Sequence, residues 1–234
     1  MPEQFVIDPS DRPTVPVAGG GLFPVRRIYC VARNYAAHAR EMGADPTREA
    51  PFFFLKPGDA VLPVGGDEAG RFPYPPATRE VHHELELVVA LGAGGTDLSV
   101  EQAAACIYGY AVGLDMTRRD LQAEAKAKGR PWDIAKAFDD AAPISAIVPA
   151  PGKVLDAGEV LLRVNGEDRQ CGDLADMIWS IPEIIAYFSR YYRLMPGDLI
   201  FTGTPEGVGP VLPGDLLEGR IDGVGTLSLR VTER

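Results

Sequence analysis

Hydrophobic and polar positions alternate along much of this chain, and they do so in short runs. RRIYCVA (26–32) reads as a strand, as do FFFL (52–55) and AVLPV (60–64) on either side of Lys56-Pro57-Gly58-Asp59. HHELELVVALG (82–92) alternates and then becomes continuously apolar, the pattern of a strand half buried at its start and fully buried at its end. Asn165-Gly166 inside VLLRVNGEDRQ marks a hairpin. PGDLIF and PGDLLEG are turn-plus-strand units, and TLSLRV closes the chain as another strand.

Helical spacing is confined mainly to the middle. YAAHAREMG (35–43) predicts a short helix stopped by Gly43. Ser99 with Gln102 forms a capping box for a helix running to about Val112, and Ser180 with Glu183 caps another over 181–194. DLQAEAKAKG (120–129) is a polar helix ended by Gly129. Residues 65–80 read as a loop, and residues 1–22 as an extended lead-in to a single domain over 23–234. The class is α+β and β-rich. No regular βαβ alternation is present, and no G-x-G-x-x-G follows a strand, which argues against a Rossmann domain.

Composition narrows the function. The 234 residues carry a net charge of -10, which disfavours nucleic acid and anionic membranes as partners. No run approaches the 18 or so apolar residues of a membrane span, and the N-terminus lacks the pattern of a signal peptide. Three scattered cysteines form no C-x-x-C, in keeping with a reducing cytoplasm.

The candidate chemistry is carried by carboxylates. Glu84 and Glu86 lie two apart on the predicted strand and so share a face. Beside LVVAL they are either solvated or neutralised, and a hard cation such as Mg2+ or Mn2+ is the natural partner for oxygen ligands. Asp115, in GLDMT between two predicted helices, is a third ligand candidate or a helix cap; Thr117 is an alternative cap that would free it. H-E-x-x-H fails because position 87 is Leu87, and three histidines supply a zinc site poorly. His82 and His83 are expected to flank the strand. His38 and Glu41, at i and i+3, form either an exposed pair or an oriented general base. Lys136 in WDIAKAFD either snorkels to the surface or stabilises an enolate oxygen. Arg119 and Gln122 follow Asp115 at +4 and +7 and could share its helix face.

Taken together, ARNYAAHAREM, FFFLKP, HHELELVVALG, GYAVGLDMTRRDLQ, GRPWDIAKAFD, LRVNGEDRQ, SIPEIIAYFS and PGDLIFTGTPEGVGP resemble the fumarylacetoacetate hydrolase family from about Phe23 to Val231. The resemblance implies a mixed β-sandwich roll with peripheral helices, usually a homodimer, and a lid segment around 33–50. It implies Glu84, Glu86 and Asp115 as ligands of Mg2+ or Mn2+, and His38 with Glu41 as the acid–base pair. Arg119, Gln122, Lys136 and Thr204 would contact a keto-acid substrate and its enolate. For a substrate with a second carboxylate at its far end, Arg33, Arg40 and Lys56 are the basic candidates, and the sequence does not rank them. One departure is Ala32, where short members carry glycine; alanine resists positive φ, which bears on how Arg33 is placed. Within the family the chain looks most like members that split fumarylpyruvate into fumarate and pyruvate in the gentisate route. Acylpyruvases that also decarboxylate oxaloacetate are close behind, followed by isomerases or decarboxylases of hydroxylated dicarboxylate dienes. A non-catalytic keto-acid-binding module is the alternative from outside enzymology.

Overall fold

The computed structural model describes residues 6–7, 10–37, 49–65 and 68–234. Its larger sheet runs in the order β4 (Phe52–Pro57), β3 (Arg27–Ala32), β15 (Leu199–Phe201), β8 (Leu85–Leu91), β9 (Ile107–Leu114), β11 (Ala142–Ile144) and β5 (Val61–Pro63), with β12 (Val148–Pro149) also paired to β9. The β3–β15 and β5–β11 pairs are parallel and the others antiparallel. A second sheet has the order β14 (Glu167–Asp173), β13 (Glu159–Val164), β17 (Leu216–Ile221), β18 (Gly225–Thr232) and β6 (Gly70–Pro73). Among the described residues there are also two smaller pieces: a ribbon of β10 (Thr117–Arg118), β7 (Val81–His83) and β16 (Gly209–Val211), and the pair β1 (Thr14–Pro16) with β2 (Leu22–Pro24). Among the described residues the α-helices include α1 (Val100–Ala105), α2 (Arg119–Ala127), α3 (Asp133–Lys136) and α4 (Ile181–Ser189). This is the strand-rich α+β architecture that the alternation predicts.

Strand parity divides the interior into two cores. On β8, Leu85, Leu87, Val89 and Leu91 face the core shared with the second sheet and with Ile184, Ile185 and Phe188 of α4. Val88 and Ala90 point the other way, toward Val15, Phe23, Ile28, Ala111 and Phe201. Both faces are covered, so all seven residues of β8 are buried, and this explains why LVVAL loses its alternation. Glu86 has the parity of Val88 and Ala90. A carboxylate therefore stands in the row of an apolar core, at the end of the strand where that core stops.

Several expectations shift. The predicted helix over 99–112 keeps its capping box but ends at Ala105, and Ile107–Leu114 is strand β9. Its residues divide between the two cores as β8 does, with Tyr110, Val112 and Leu114 on one side and Ala111 on the other. Pairing with β8 outweighs helical continuation. Asp115 consequently follows a strand and does not lie between two helices. The 82–92 strand is interrupted at Glu84, where the chain passes from the β7 ribbon into the main sheet. The helix over 181–194 stops at Ser189. The expected loop at 65–80 contains β6, whose Phe72 is fully buried beside β18. In the lead-in, Val15 is buried as β1 pairs with β2. At the Asn165-Gly166 turn both residues have positive φ, 54° and 81°, as a tight hairpin requires. Of the helix predicted over 35–43, residues 38–43 lie outside the described residues, as does most of the expected lid. Among the described residues no helix is long and apolar enough to cross a membrane.

Candidate active site

Two backbone relationships bring the carboxylates together. Glu84 sits at the joint between β7 and β8, Glu86 on β8, and Asp115 just beyond β9. The Asp115 amide donates to the Glu84 carbonyl at 2.8 Å, and Glu86 pairs in register with Gly113. Ligand atoms of Glu84, Glu86 and Asp115 then all lie within 4.8 Å of one another, in buried positions. The i, i+2 argument thus picks out a pair that the fold brings together, although Glu84 itself lies outside a strand.

Burying three carboxylates is costly unless positive charge neutralises them. Lys136 at the end of α3 donates to Glu84 Oε2 at 2.9 Å and to Asp115 Oδ2 at 2.7 Å. Arg119, the first residue of α2, reaches Glu84 Oε1 at 2.5 Å and holds Gln122 Oε1 at 2.6 Å. Lys56 of β4 lies 2.8 Å from Asp115 Oδ1 and donates to the carbonyls of Met116 and Lys136. Thr117 is not the helix cap; its hydroxyl donates to Glu84 Oε1 at 3.1 Å, while the N-cap position of α2 is Arg118, which has no capping side-chain bond. Burial alone would lower the Lys136 pKa, but Asp115 and Glu84 outweigh it and the net shift is upward. Lys136 is therefore a fixed cation at neutral pH, with two of its three protons committed.

Glu86 is different. Its Oε2 accepts from the Gly203 amide at 2.8 Å, and among the described residues no cation pairs with it. Burial first, then the charges of Asp115 and Glu84, push its pKa well above the usual carboxylate range. Asp115 Oδ1 is also buried without a well-aligned hydrogen bond. A buried carboxylate with no cation partner among the described residues, and two further carboxylates within reach of it, are what a hard divalent ion satisfies. The donor set fits Mg2+ or Mn2+.

The TGTP turn forms another wall. Gly203 has φ 99°, and an added Cβ would stand 2.8 Å from Asn34 Cβ, so this position needs glycine. Asn34 ties the turn down, donating to the Thr202 and Trp179 carbonyls and accepting from the Trp179 amide. Thr204 donates to the Leu85 carbonyl at 2.7 Å and accepts from Gln170 Nε2 at 2.8 Å. Arg33, Glu84, Glu86, Arg119, Gln122, Lys136 and Thr204 line one cavity. Among the residues expected from sequence, Lys56 and Asp115 do not line it; both are buried and paired with each other behind its wall. His38, Arg40 and Glu41 lie outside the described residues. Ala32 ends β3 paired with Phe52 and does not have positive φ; the next residue, Arg33, does, at 60°.

Comparison with known proteins decides the family. The model for the fumarylacetoacetate (FAA) hydrolase C-terminal domain matches residues 27–232. This chain belongs to the fumarylacetoacetate hydrolase family. It is 48% identical over 187 residues to the fumarylpyruvate hydrolase of a Ralstonia species, covering 80% of this chain and 95% of that one. It is 46% identical over 210 residues to human mitochondrial oxaloacetate tautomerase, covering 88% and 91%. The crystal structure of Pseudomonas aeruginosa fumarylpyruvate hydrolase in complex with Mn2+ and pyruvate superposes with a TM-score of 0.96 at 52% identity, covering 99% of this chain and 100% of that one. The chain is accordingly an enzyme of this hydrolase family, with a buried carboxylate triad able to hold a metal ion.

Sequence reasoning passed over Gln170, which lies opposite Leu162 in the β13–β14 pair, where an apolar residue would be ordinary. Gln170 Oε1 accepts from the Leu85 amide, so His83 Nδ1, 3.1 Å away, must carry the proton. Burial pushes the His83 pKa down to about 4. The unfolded chain, with a histidine pKa of about 6.5, takes up this proton first. The contribution to stability is therefore complete above about pH 6.5 and falls by as much as about 3 kcal/mol as the pH drops through 4. Urea unfolding of metal-free protein at pH 7 and pH 4.5 should show this loss, and His83→Leu should flatten it. An equal pH slope in the variant would contradict the assignment.

Proposed function

We propose that this enzyme hydrolyses the carbon–carbon bond of an acylpyruvate, with fumarylpyruvate giving fumarate and pyruvate. The observation that carries this reading is the single cavity in which Arg119, Gln122, Lys136 and Thr204 converge beside the buried carboxylate triad. Glu84, Glu86 and Asp115 are the ligands in this reading, and a bound Mg2+ or Mn2+ supplies Lewis acidity and a template for the keto acid. His38, oriented by Glu41, takes a proton from water; these two roles rest on the sequence resemblance. The water oxygen bonds to the distal carbonyl carbon. The bond from that carbon to the neighbouring methylene breaks, and its electron pair passes into the enolate of pyruvate, which is then protonated on carbon. Lys136 has a proton left to donate after Glu84 and Asp115 are served, and a raised pKa that keeps it charged, so it stabilises the enolate oxygen. Arg119 and Gln122, joined by their own hydrogen bond, orient the keto-acid end.

The likeness to an oxaloacetate tautomerase makes oxaloacetate a second candidate substrate for this site, and its decarboxylation is the second reading. Oxaloacetate decarboxylation yields the same enolate with no attack by water. Steady-state kinetics with fumarylpyruvate, acetylpyruvate and oxaloacetate under Mg2+ and Mn2+ test both readings. The highest kcat/KM is expected for fumarylpyruvate, and His38→Gln should remove hydrolysis far more than decarboxylation. Metal-loaded protein that binds oxalate but turns over no acylpyruvate would instead be a keto-acid-binding module.

A further inference from the structure

We propose that Lys126 and Arg33 form a second anion subsite at the outer end of the cavity, where they receive the distal carboxylate of a dianionic acylpyruvate. This rests on reading the site as one for acylpyruvates and names the feature of the substrate that it selects.

Both residues line the cavity that holds Glu84, Glu86 and Lys136. The inner cations are already matched to carboxylates: Lys56 to Asp115, Lys136 to Glu84 and Asp115, and Arg119 to Glu84. The outer two are not. Among the described residues, neither Arg33 nor Lys126 has a carboxylate within ion-pair distance. Within the described residues, two cations of the cavity wall stand without an anion and are placed to receive one from a ligand.

Their positions follow from the backbone. Lys126 stands seven residues after Arg119 and four after Gln122 on α2, so all three share one helix face. Two turns of helix, about 10 Å, separate the residue pinned on Glu84 from Lys126. That is of the order of the length of a seven-carbon chain with a carboxylate at each end. Lys126 Nζ lies 5.3 Å from the centre of the Trp132 ring, and Trp132 and Phe54 flank the cavity. These rings suit the unsaturated segment between the two carboxylates. Arg33 takes φ 60° directly after β3. A non-glycine residue in this region is strained, and such strain gathers at ligand-binding positions. Its planar fork can accept a carboxylate in two parallel hydrogen bonds, with Lys126 as a point charge beside it. Burial, then the charges of Arg119 and Arg33, lower the Lys126 pKa, which an arriving anion would reverse. Lys56 is excluded because it is buried beneath Asp115 with its donors already placed.

The test compares substrates with and without the second carboxylate. In Lys126→Met and in Arg33→Asn, whose new residue tolerates the left-handed backbone, kcat/KM for fumarylpyruvate should fall about 10- to 100-fold, mainly through KM. The value for acetylpyruvate should change less than about twofold, as expected for a residue away from the chemistry. Calorimetry on Mn2+-loaded protein provides a readout without turnover. The wild type should bind 2-oxoheptanedioate at least about tenfold more tightly than 2-oxoheptanoate, and Lys126→Met should erase the difference. Equal losses on both substrates, or no loss on fumarylpyruvate, would overturn the subsite while leaving the hydrolase reading intact. A dianion preference that depends on Lys126, in a wild type that hydrolyses no acylpyruvate, would overturn the hydrolase reading and leave the subsite standing.

Discussion

Glu86→Gln is expected to abolish both turnover and Mn2+ stabilisation while leaving the metal-free protein at least as stable as wild type. Glu86 is fully buried, has no cation partner among the described residues, and is destabilised by Asp115 and Glu84. Glutamine keeps its shape, and its carbonyl oxygen can still accept from the Gly203 amide. The substitution thus removes a repulsive charge and retains the hydrogen bond. The same charge is what a divalent ion requires of its ligand. Wild type in Mn2+ at about 100 times its Kd should gain about 2.7 kcal/mol against unfolding, and the variant almost nothing. Loss of Lewis acidity should lower kcat by about 1,000-fold or more. Denaturation with and without Mn2+, combined with steady-state kinetics, checks both parts. A variant that binds Mn2+ normally, or whose metal-free form is markedly less stable, would show that Glu86 has a structural role instead.

The opposite combination is expected at Lys136. Lys136→Met leaves Glu84 Oε2 and Asp115 Oδ2 buried without their shared cation. Removing one partner of a buried ion pair costs about 3–5 kcal/mol, so metal-free protein should be strongly destabilised. Adding Mn2+ should restore much of this, because the site has become more negative and its affinity for the ion is equal to or above that of wild type. Activity should still fall by about 100- to 1,000-fold, since the donor to the developing enolate oxygen is gone. In wild type the raised Lys136 pKa means that the ammonium's contribution to stability is complete below its ordinary pKa of about 10.5 and is lost only as the pH rises beyond the folded value. Lys136 therefore sets no limit on activity near neutral pH. Calorimetric Mn2+ titration of the variant is the deciding measurement: loss of metal binding together with activity would make Lys136 part of the ligand scaffold only.

Much of the fold was legible because its signals are local. Hairpin chemistry at Asn165-Gly166 and the capping boxes at Ser99 and Ser180 depend on neighbouring residues alone, and all three are found as predicted. The extent of the helix after Ser99 was not legible in the same way. Residues 107–114 become a strand through pairing with β8 and burial between two cores, and both partners are distant in sequence. The same holds for β6, whose partner β18 lies about 160 residues away along the chain.

At the site, the sequence by itself determined which residues were candidates for the chemistry, and the fold brings many of them together. The parity of Glu84 and Glu86, the recurrence of polar residues in otherwise apolar segments, and the family motifs all pointed to the triad, to Lys136 and to the α2 face. Tertiary structure decided how those charges are matched, because ion pairing depends on distances between segments that no local pattern encodes. It placed Lys56 beneath Asp115 and away from the cavity, left Glu86 without a cation, moved the positive φ from Ala32 to Arg33, and brought Lys126, which spacing on α2 alone would have left as a surface lysine, to the cavity wall.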